Sequence, residues 1–316
     1  MNNLQPVYSL SISGRLTLEM HSLNNEGGEG NQTMTRMVTL VDTTGNIHKV
    51  NAISGDMFKH IQAEHFYRLA RERELALCEG CKSFRSDRIL GDRNFIQNLP
   101  SQDAETINKL LETCALDDTE GTLIARGARS IPRKSIAEFS WVVGLPDKVR
   151  TESYFHVRYA SERGGEEAIE QPIFHRPASS GIYATVATFE LARIGFNDIS
   201  QEYALDEEEC LRRYQAFLES VIHTYVEPGG AMRGTQNPHI LAFEGVITIS
   251  HAVLPAPTIS PLDENYKTQI QEVAQALDST GRLEVRPFNT MSEFAVHMKQ
   301  VLDTTHPYRL FAQRGN

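Results

Sequence analysis

Ser13 to His60 reads SGRLTLEMHSLNNEGGEGNQTMTRMVTLVDTTGNIHKVNAISGDMFKH, which sets a strand, a Gly/Asn-rich turn and a helix start in one run. From Leu10 onward, apolar Leu10, Ile12, Leu16, Leu18 and Met20 alternate with Arg15, Thr17, Glu19 and His21, the period-two pattern of a half-buried strand. Arg15 and His21 are therefore expected on the uncovered face. Asn24-Asn25-Glu26-Gly27-Gly28 and Gly30-Asn31 follow. Such residues accept positive φ and let successive N–H groups point outward, a concavity suited to phosphate or sugar oxygens; on composition alone the run is an ordinary loop. Ser54-Gly55-Asp56 then opens a helix, with Ser54 suited to the N-cap and Asp56 to the first turn. Met57, Phe58, Ile61, His65, Phe66 and Leu69 form one apolar stripe and leave Lys59, His60 and Gln62 to other faces. A helix N-terminus with Lys59 one turn in is an anion site, although a plain amphipathic helix with a solvated lysine has the same pattern.

The remaining composition bounds the class. At 316 residues and 40% hydrophobic, the chain has material for a large core and reads as a globular protein, one core with sizeable insertions. No basic N-terminal region precedes an apolar run, and the longest apolar stretch, around Val246 to Leu254, is broken by Thr248, Ser250 and His251. Neither a signal peptide nor a membrane span is expected, which points to the cytoplasm. Reduced thiols are then expected for Cys78, Cys81, Cys114 and Cys210. Cys78-Glu-Gly-Cys81 is a single C-x-x-C pair. A closed zinc site needs two further ligands, which Cys114 and His60 or His65 could supply in space, but no second ligand pair stands at a matching spacing. The pair is read as structural, and no cofactor is assigned.

The net charge of −10 argues against a uniformly basic nucleic-acid binder, yet the charge is segregated. Arg126, Arg129, Arg133 and Lys134 form a run without acids, while Asp103 to Glu120 and Glu202 to Glu209 are strongly acidic. Segregation lets one face attract phosphates while the rest keeps the protein in solution.

Along the chain, a strand over about 8–22 leads to a hairpin, 36–42 and 47–51, and to a helix from Ser54 to roughly Glu74. Leu75 to Ser135 is an interrupted insertion holding a helix around 103–116. Strands over 136–143 and 153–160 are expected on either side of a Gly144-Leu145-Pro146-Asp147 turn. A polar excursion from Ser161 to Ser180 precedes a strand over 181–194, then a helix over 207–224 and a strand over 240–253. A helix over 264–277, a strand over 282–286 and a helix from Ser292 close the chain. Strand, helix, strand, strand, helix, strand is the order of an α+β, RRM-like (ferredoxin-like) core.

The run SGRLTLEMHSLNNEG followed by ISGDMFKHI closely resembles the DevR-type backbone subunit of Cascade, the RNA-guided CRISPR surveillance complex of type I systems, a branch of the RAMP superfamily. The resemblance is strong over the first sixty residues and continues by element order, including Ser180-Gly181-Ile182-Tyr183 and Gln236-Asn237-Pro238-His239. It implies one RRM-like palm over the whole chain, fingers inserted at 75–135 and a thumb loop at 161–180, with copies stacked helically along the CRISPR RNA. The partners implied are CRISPR RNA, target DNA through the guide, copies of the same chain and other Cascade subunits. Mapped onto this sequence, the palm surface takes in Arg15, His21, Asn24, Asn25, Ser54, Lys59 and His60. The basic run adds Arg129 and Arg133. Ile173 and Phe174, apolar neighbours in the polar excursion, are expected to wedge between bases or plug into the next subunit, or else to fold back on the core. Met232 and Arg233, in the second Gly-rich loop, either hold RNA backbone or cap the preceding helix.

Two other functions compete with a non-catalytic scaffold. A metal-dependent ribonuclease of the same fold would use Asp56 and His60, at i, i+4 on one helical face, with His21 nearby. Related type III backbone subunits cut target RNA with an acidic residue, but here no second acid joins Asp56 by spacing. A free-standing transcriptional regulator would need a duplex reader such as a helix-turn-helix, and none is evident.

Overall fold

The structure, a computed structural model, describes residues 4–157 and 173–311. Its principal strands are β1 (Ser9–His21), β2 (Met37–Val41), β3 (Ile47–Ile53), β4 (Thr122–Arg126), β5 (Arg129–Arg133), β6 (Val142–Val157), β7 (Ile173–Phe189), β8 (His239–Ser250) and β9 (Leu283–Phe288). The principal helices are α1 (Gly55–Glu72), α2 (Asp103–Thr113), α3 (Ala115–Glu120), α4 (Glu207–Val226), α5 (Tyr266–Leu277) and α6 (Met291–Thr304). The main sheet runs β9-β8-β1-β7-β6-β3-β2 with every neighbouring pair antiparallel. Its central strands β1, β6, β7 and β8 are thus ordered fourth-first-third-second by chain position, with α1 after the first and α4 after the third.

One face of the sheet is dry. Leu10, Ile12, Leu16 and Leu18 of β1 share a core with Phe58, Ile61 and Phe66 of α1 and Tyr214, Phe217 and Val221 of α4. Each such side chain contributes roughly 1.5–3 kcal/mol by leaving water. Phe243 on β8 lies 4.8 Å from the Tyr225 ring and 4.9 Å from Phe294. Gly14 makes room for it, since a Cβ there would sit 2.8 Å from the Phe243 ring and from the Glu244 carbonyl. The insertion joins the same core through Ile89, Phe95, Ile107, Leu110 and Ile131.

The opposite face is covered in part by the segment around 257–270, which the strand pattern does not foretell. The Ser11 hydroxyl donates to Pro257 O at 3.2 Å, and Val246, Tyr266 and Ile270 form a second small core beneath α5. Arg15 lies under this segment. It donates to Pro261 O at 2.8 Å and sits 5.5 Å from the centre of the Tyr266 ring.

Three further expectations need correction. Gly144-Leu145-Pro146-Asp147 is no hairpin turn but a bulge inside one long strand. Val143 pairs with Ala184 and Val149 with Gly181, so β6 keeps its direction and expels the surplus residues. β7 begins at Ile173, eight residues earlier than the sequence pattern predicts, so 173–180 is strand; the first part of the expected thumb, 161–172, lies outside the described residues. Finally, Met20 takes φ 55°, and the β1–β7 register slips there, Leu18 pairing with Gly181 but His21 with Ser179. The bulge inverts the alternation: Met20 turns outward and His21 turns into the core.

Candidate nucleic-acid interface

The start of α1 carries a polar surface built from both expected elements. Ser54 is its N-cap, its Oγ accepting from Met57 N at 3.2 Å, and Ser54 N donates to Asn24 Oδ1 at 2.8 Å. The strand end and the helix start expected from sequence are therefore joined by one hydrogen bond. Beside this turn lies a cavity of about 380 Å³ lined by Asp56, Lys59, His60, Phe84, Arg85 and Arg88. Burial pulls the Lys59 ammonium below its ordinary value, partly offset by the Glu120 carboxylate. A half-desolvated lysine of this kind gains most from an anion that replaces its lost water. Arg88 is held by a 2.8 Å bond to Gly121 O, and Arg85 pairs with Asp87. The Phe84 ring stacks on Tyr67 at 5.1 Å and stands 5.4 Å from His60. Cationic groups beside an aromatic stack are what single-stranded nucleic acid needs, one for phosphate and the other for bases.

Arg85, Arg88 and Phe84 were not among the sequence candidates. The run Lys82-Ser-Phe-Arg-Ser-Asp-Arg88 carries the signal, basic residues around an aromatic, but nothing in its spacing ties it to Lys59 until the insertion folds over α1.

Other expected residues are placed less openly. His21 is 2% exposed, with its ring 5.0 Å from Tyr183 and its Nε2 without a partner; burial holds it near pKa 4. It does not share an open face with Arg15, nor does it join Asp56 and His60. Asn24 is buried, and its carbonyl accepts from Arg36 N and Thr35 Oγ1. The Gly/Asn-rich run forms a hairpin, Asn25–Glu29 with Gln32–Thr35, rather than an open concavity. Asn25 is half-buried and its Oδ1 accepts from Ser22 Oγ at 2.8 Å.

The residues of the basic run each have a partner within the chain. Arg126 donates to Ile96 O, Arg129 pairs with Asp103 at 2.7 Å, and Lys134 pairs with Glu138 at 2.8 Å. Arg133 is wholly buried, bound to Asp118 at 2.7 Å and to Asp198 at 3.0 Å, so it leaves the set of surface candidates. Arg15 is half-buried, its guanidinium turned to the Pro261 and Asp263 carbonyls. The acidic run is likewise no simple surface, because Asp117, Asp118 and Glu120 are buried.

In the second Gly-rich loop, Ala231 N donates to Leu23 O at 3.1 Å, Met232 takes φ 56°, and Arg233 pairs with Glu227. Arg176 Nη1 reaches Thr235 Oγ1 at 3.3 Å, and Gln236 donates to Pro177 O at 2.9 Å. This loop therefore packs against the ends of β1 and β7. Phe174 stacks on His156 at 5.7 Å under the Arg176 guanidinium, whereas Ile173 is 46% exposed and Phe155 57%. Both belong to the outer part of the β6–β7 ribbon, beyond the reach of β1.

A protein of Methanocaldococcus jannaschii described as CRISPR-associated protein Cas7/Cst2/DevR is 24% identical over 312 residues, covering 92% of this chain and 96% of its own. A chain of a solved CRISPR RNA-guided surveillance complex aligns over 93% of this chain and 98% of its own, at 11% identity and a TM-score of 0.49. A chain of a pre-nicking surveillance complex aligns over 84% and 89% respectively, at 12% identity and a TM-score of 0.48. The profile of a family described as CRISPR-associated negative auto-regulator DevR/Csa2 matches residues 12–271, and with that much of its length accounted for, the chain belongs to the DevR/Csa2 family.

Proposed function

We propose that this chain is a CRISPR RNA-binding backbone subunit of a Cascade-type surveillance complex, one that polymerises along the guide and holds it for pairing with target DNA without cutting either strand. Its four central strands and two helices, in the order β1-α1-β6-β7-α4-β8, are read as an RRM-like palm. The insertion over 75–135 serves as the fingers, and the β6–β7 ribbon with the segment that joins its strands serves as the thumb. Exposed Phe155 and Ile173 on that ribbon favour a contact with RNA or with the next subunit.

The observation that carries the reading is the cleft at the start of α1. In a chain of net charge −10, Lys59, His60, Arg85 and Arg88 meet there beside Phe84. Replacing Lys59 by Ala removes one phosphate contact. Affinity should fall similarly for unrelated RNA sequences, and the slope of log K against log salt should shrink by about 0.7, the value per contact for single strands. An unchanged affinity and slope removes Lys59 from the interface. Tighter binding to duplex DNA than to RNA would instead favour the regulator that the family description names.

A further inference from the structure

We propose that Cys78, Cys81, Cys114 and Asp117 form a structural binding site for a divalent metal ion of the zinc type. Their three Sγ atoms and one carboxylate oxygen all lie within 4.8 Å of one another, and all four residues are buried. Both Cys78 Sγ and Cys81 Sγ stand 3.4 Å from Asp117 Oδ2. An enclosed set of three sulfurs and one oxygen suits tetrahedral zinc and suits hard cations poorly.

The chain builds this cluster from two similar halves. Cys78 caps the short helix Glu79–Lys82, and its Sγ faces Cys81 N at 3.4 Å; Cys114 caps α3, and its Sγ faces Asp117 N at 3.4 Å. Each half thus supplies two ligands at i, i+3 and one N–H directed at sulfur, the outer interaction that steadies a metal-bound thiolate. The second ligand pair missing from the sequence pattern is therefore Cys114-x-x-Asp117, with a carboxylate in the place where a cysteine or histidine is usually sought. Neither histidine considered from sequence takes part: His60 stands against Phe84, and His65 Nε2 bonds Glu227 O at 2.9 Å.

Asp117 supplies the independent argument. It is 0% exposed, its Oδ1 has no hydrogen-bond partner, and its Oδ2 meets only thiols. A carboxylate so placed is costly unless a cation balances it. The location has a use. A Cβ at Gly80 would fall 2.0 Å from Arg88 O, and the same turn accepts Phe84 N at Cys81 O and Arg85 N at Gly80 O, each at 3.0 Å. An ion held here braces the wall that carries Phe84, Arg85 and Arg88.

The test uses the full chain expressed with zinc in the medium and purified without chelators. Metal analysis should find one zinc per chain, and exchange into Co²⁺ should give thiolate-to-cobalt charge-transfer absorption together with the intense visible bands of a tetrahedral site. Cys210→Ser should keep the metal, because Cys210 lies apart with its Sγ 3.4 Å from Ile194 O. Cys81→Ser and Asp117→Asn should lower metal affinity at least tenfold. Should those variants fail to fold, titration of the native protein with a mercurial should release zinc as three thiols react. Metal-free protein that gives no cobalt bands, or full zinc retention in folded Cys81→Ser, overturns the assignment.

Discussion

Replacing Asp118 by Ala should destabilise the chain by about 3 kcal/mol without altering how the folded protein meets RNA. The carboxylate is fully buried and accepts from Arg133 Nη2 at 2.7 Å, Arg213 Nη1 at 3.0 Å and Gly195 N at 3.0 Å. Removing it leaves two buried guanidinium groups short of a counter-charge, a change that typically costs ~3–5 kcal/mol. Each arginine keeps a second carboxylate, Asp198 at 3.0 Å for Arg133 and Glu209 at 2.8 Å for Arg213, which places the loss at the lower end. Against the roughly 5–15 kcal/mol that folded domains possess, such a loss is large. Urea unfolding of the isolated chain should show a lower midpoint with an unchanged slope, since the surface exposed on unfolding stays the same. RNA titrations of the folded variant should give the wild-type salt slope. A loss below about 1 kcal/mol, or a shallower salt slope at unchanged stability, would return Arg133 to the RNA surface.

Acid should weaken the fold through His21. Burial lowers its pKa from 6.5 to about 4, so the folded state holds it neutral; its contribution is complete above the unfolded value and is lost as pH falls from 6.5 toward 4, up to about 3 kcal/mol. Urea midpoints between pH 7 and 4 check this, and the fall should be smaller in His21→Gln. The double change Ile173→Ser with Phe174→Ser should leave the monomer's unfolding midpoint nearly intact and impair assembly on RNA; strong destabilisation of the monomer would assign the pair to the core.

Long periodic elements were legible in the sequence because one face of each meets a single dry core. The stripe Phe58, Ile61, Phe66 and Leu69 gave α1 to within two residues of its observed end, and the alternation from Leu10 to Leu18 gave β1. What failed was local and depended on distant partners. The bulge at Met20 depends on the register with Ser179 and Gly181, so the alternation put His21 on the wrong face. Gly-Leu-Pro-Asp carries turn residues whether it reverses a strand or bulges within one, and only the shared partner β7 decides between them. Arg133 and Asp118 looked like members of two opposed charged surfaces. They are partners in one buried ion network that spans α3, β5 and α4. The α1 side of the cleft holds Lys59 and His60, both named from sequence, whereas its other wall comes from an insertion whose docking no spacing announces.

The proposed scaffold would polymerise head to tail on RNA. Contact between two different surfaces gives open arrays when the rotation between copies does not close. Native mass measurement of the purified chain with RNA of increasing length tests it directly. Masses should rise in regular one-subunit steps as the RNA lengthens, with the RNA intact in Mg²⁺ or Mn²⁺. An oligomer of fixed mass whatever the RNA length, or metal-dependent cutting that disappears in Asp56→Ala, would contradict it.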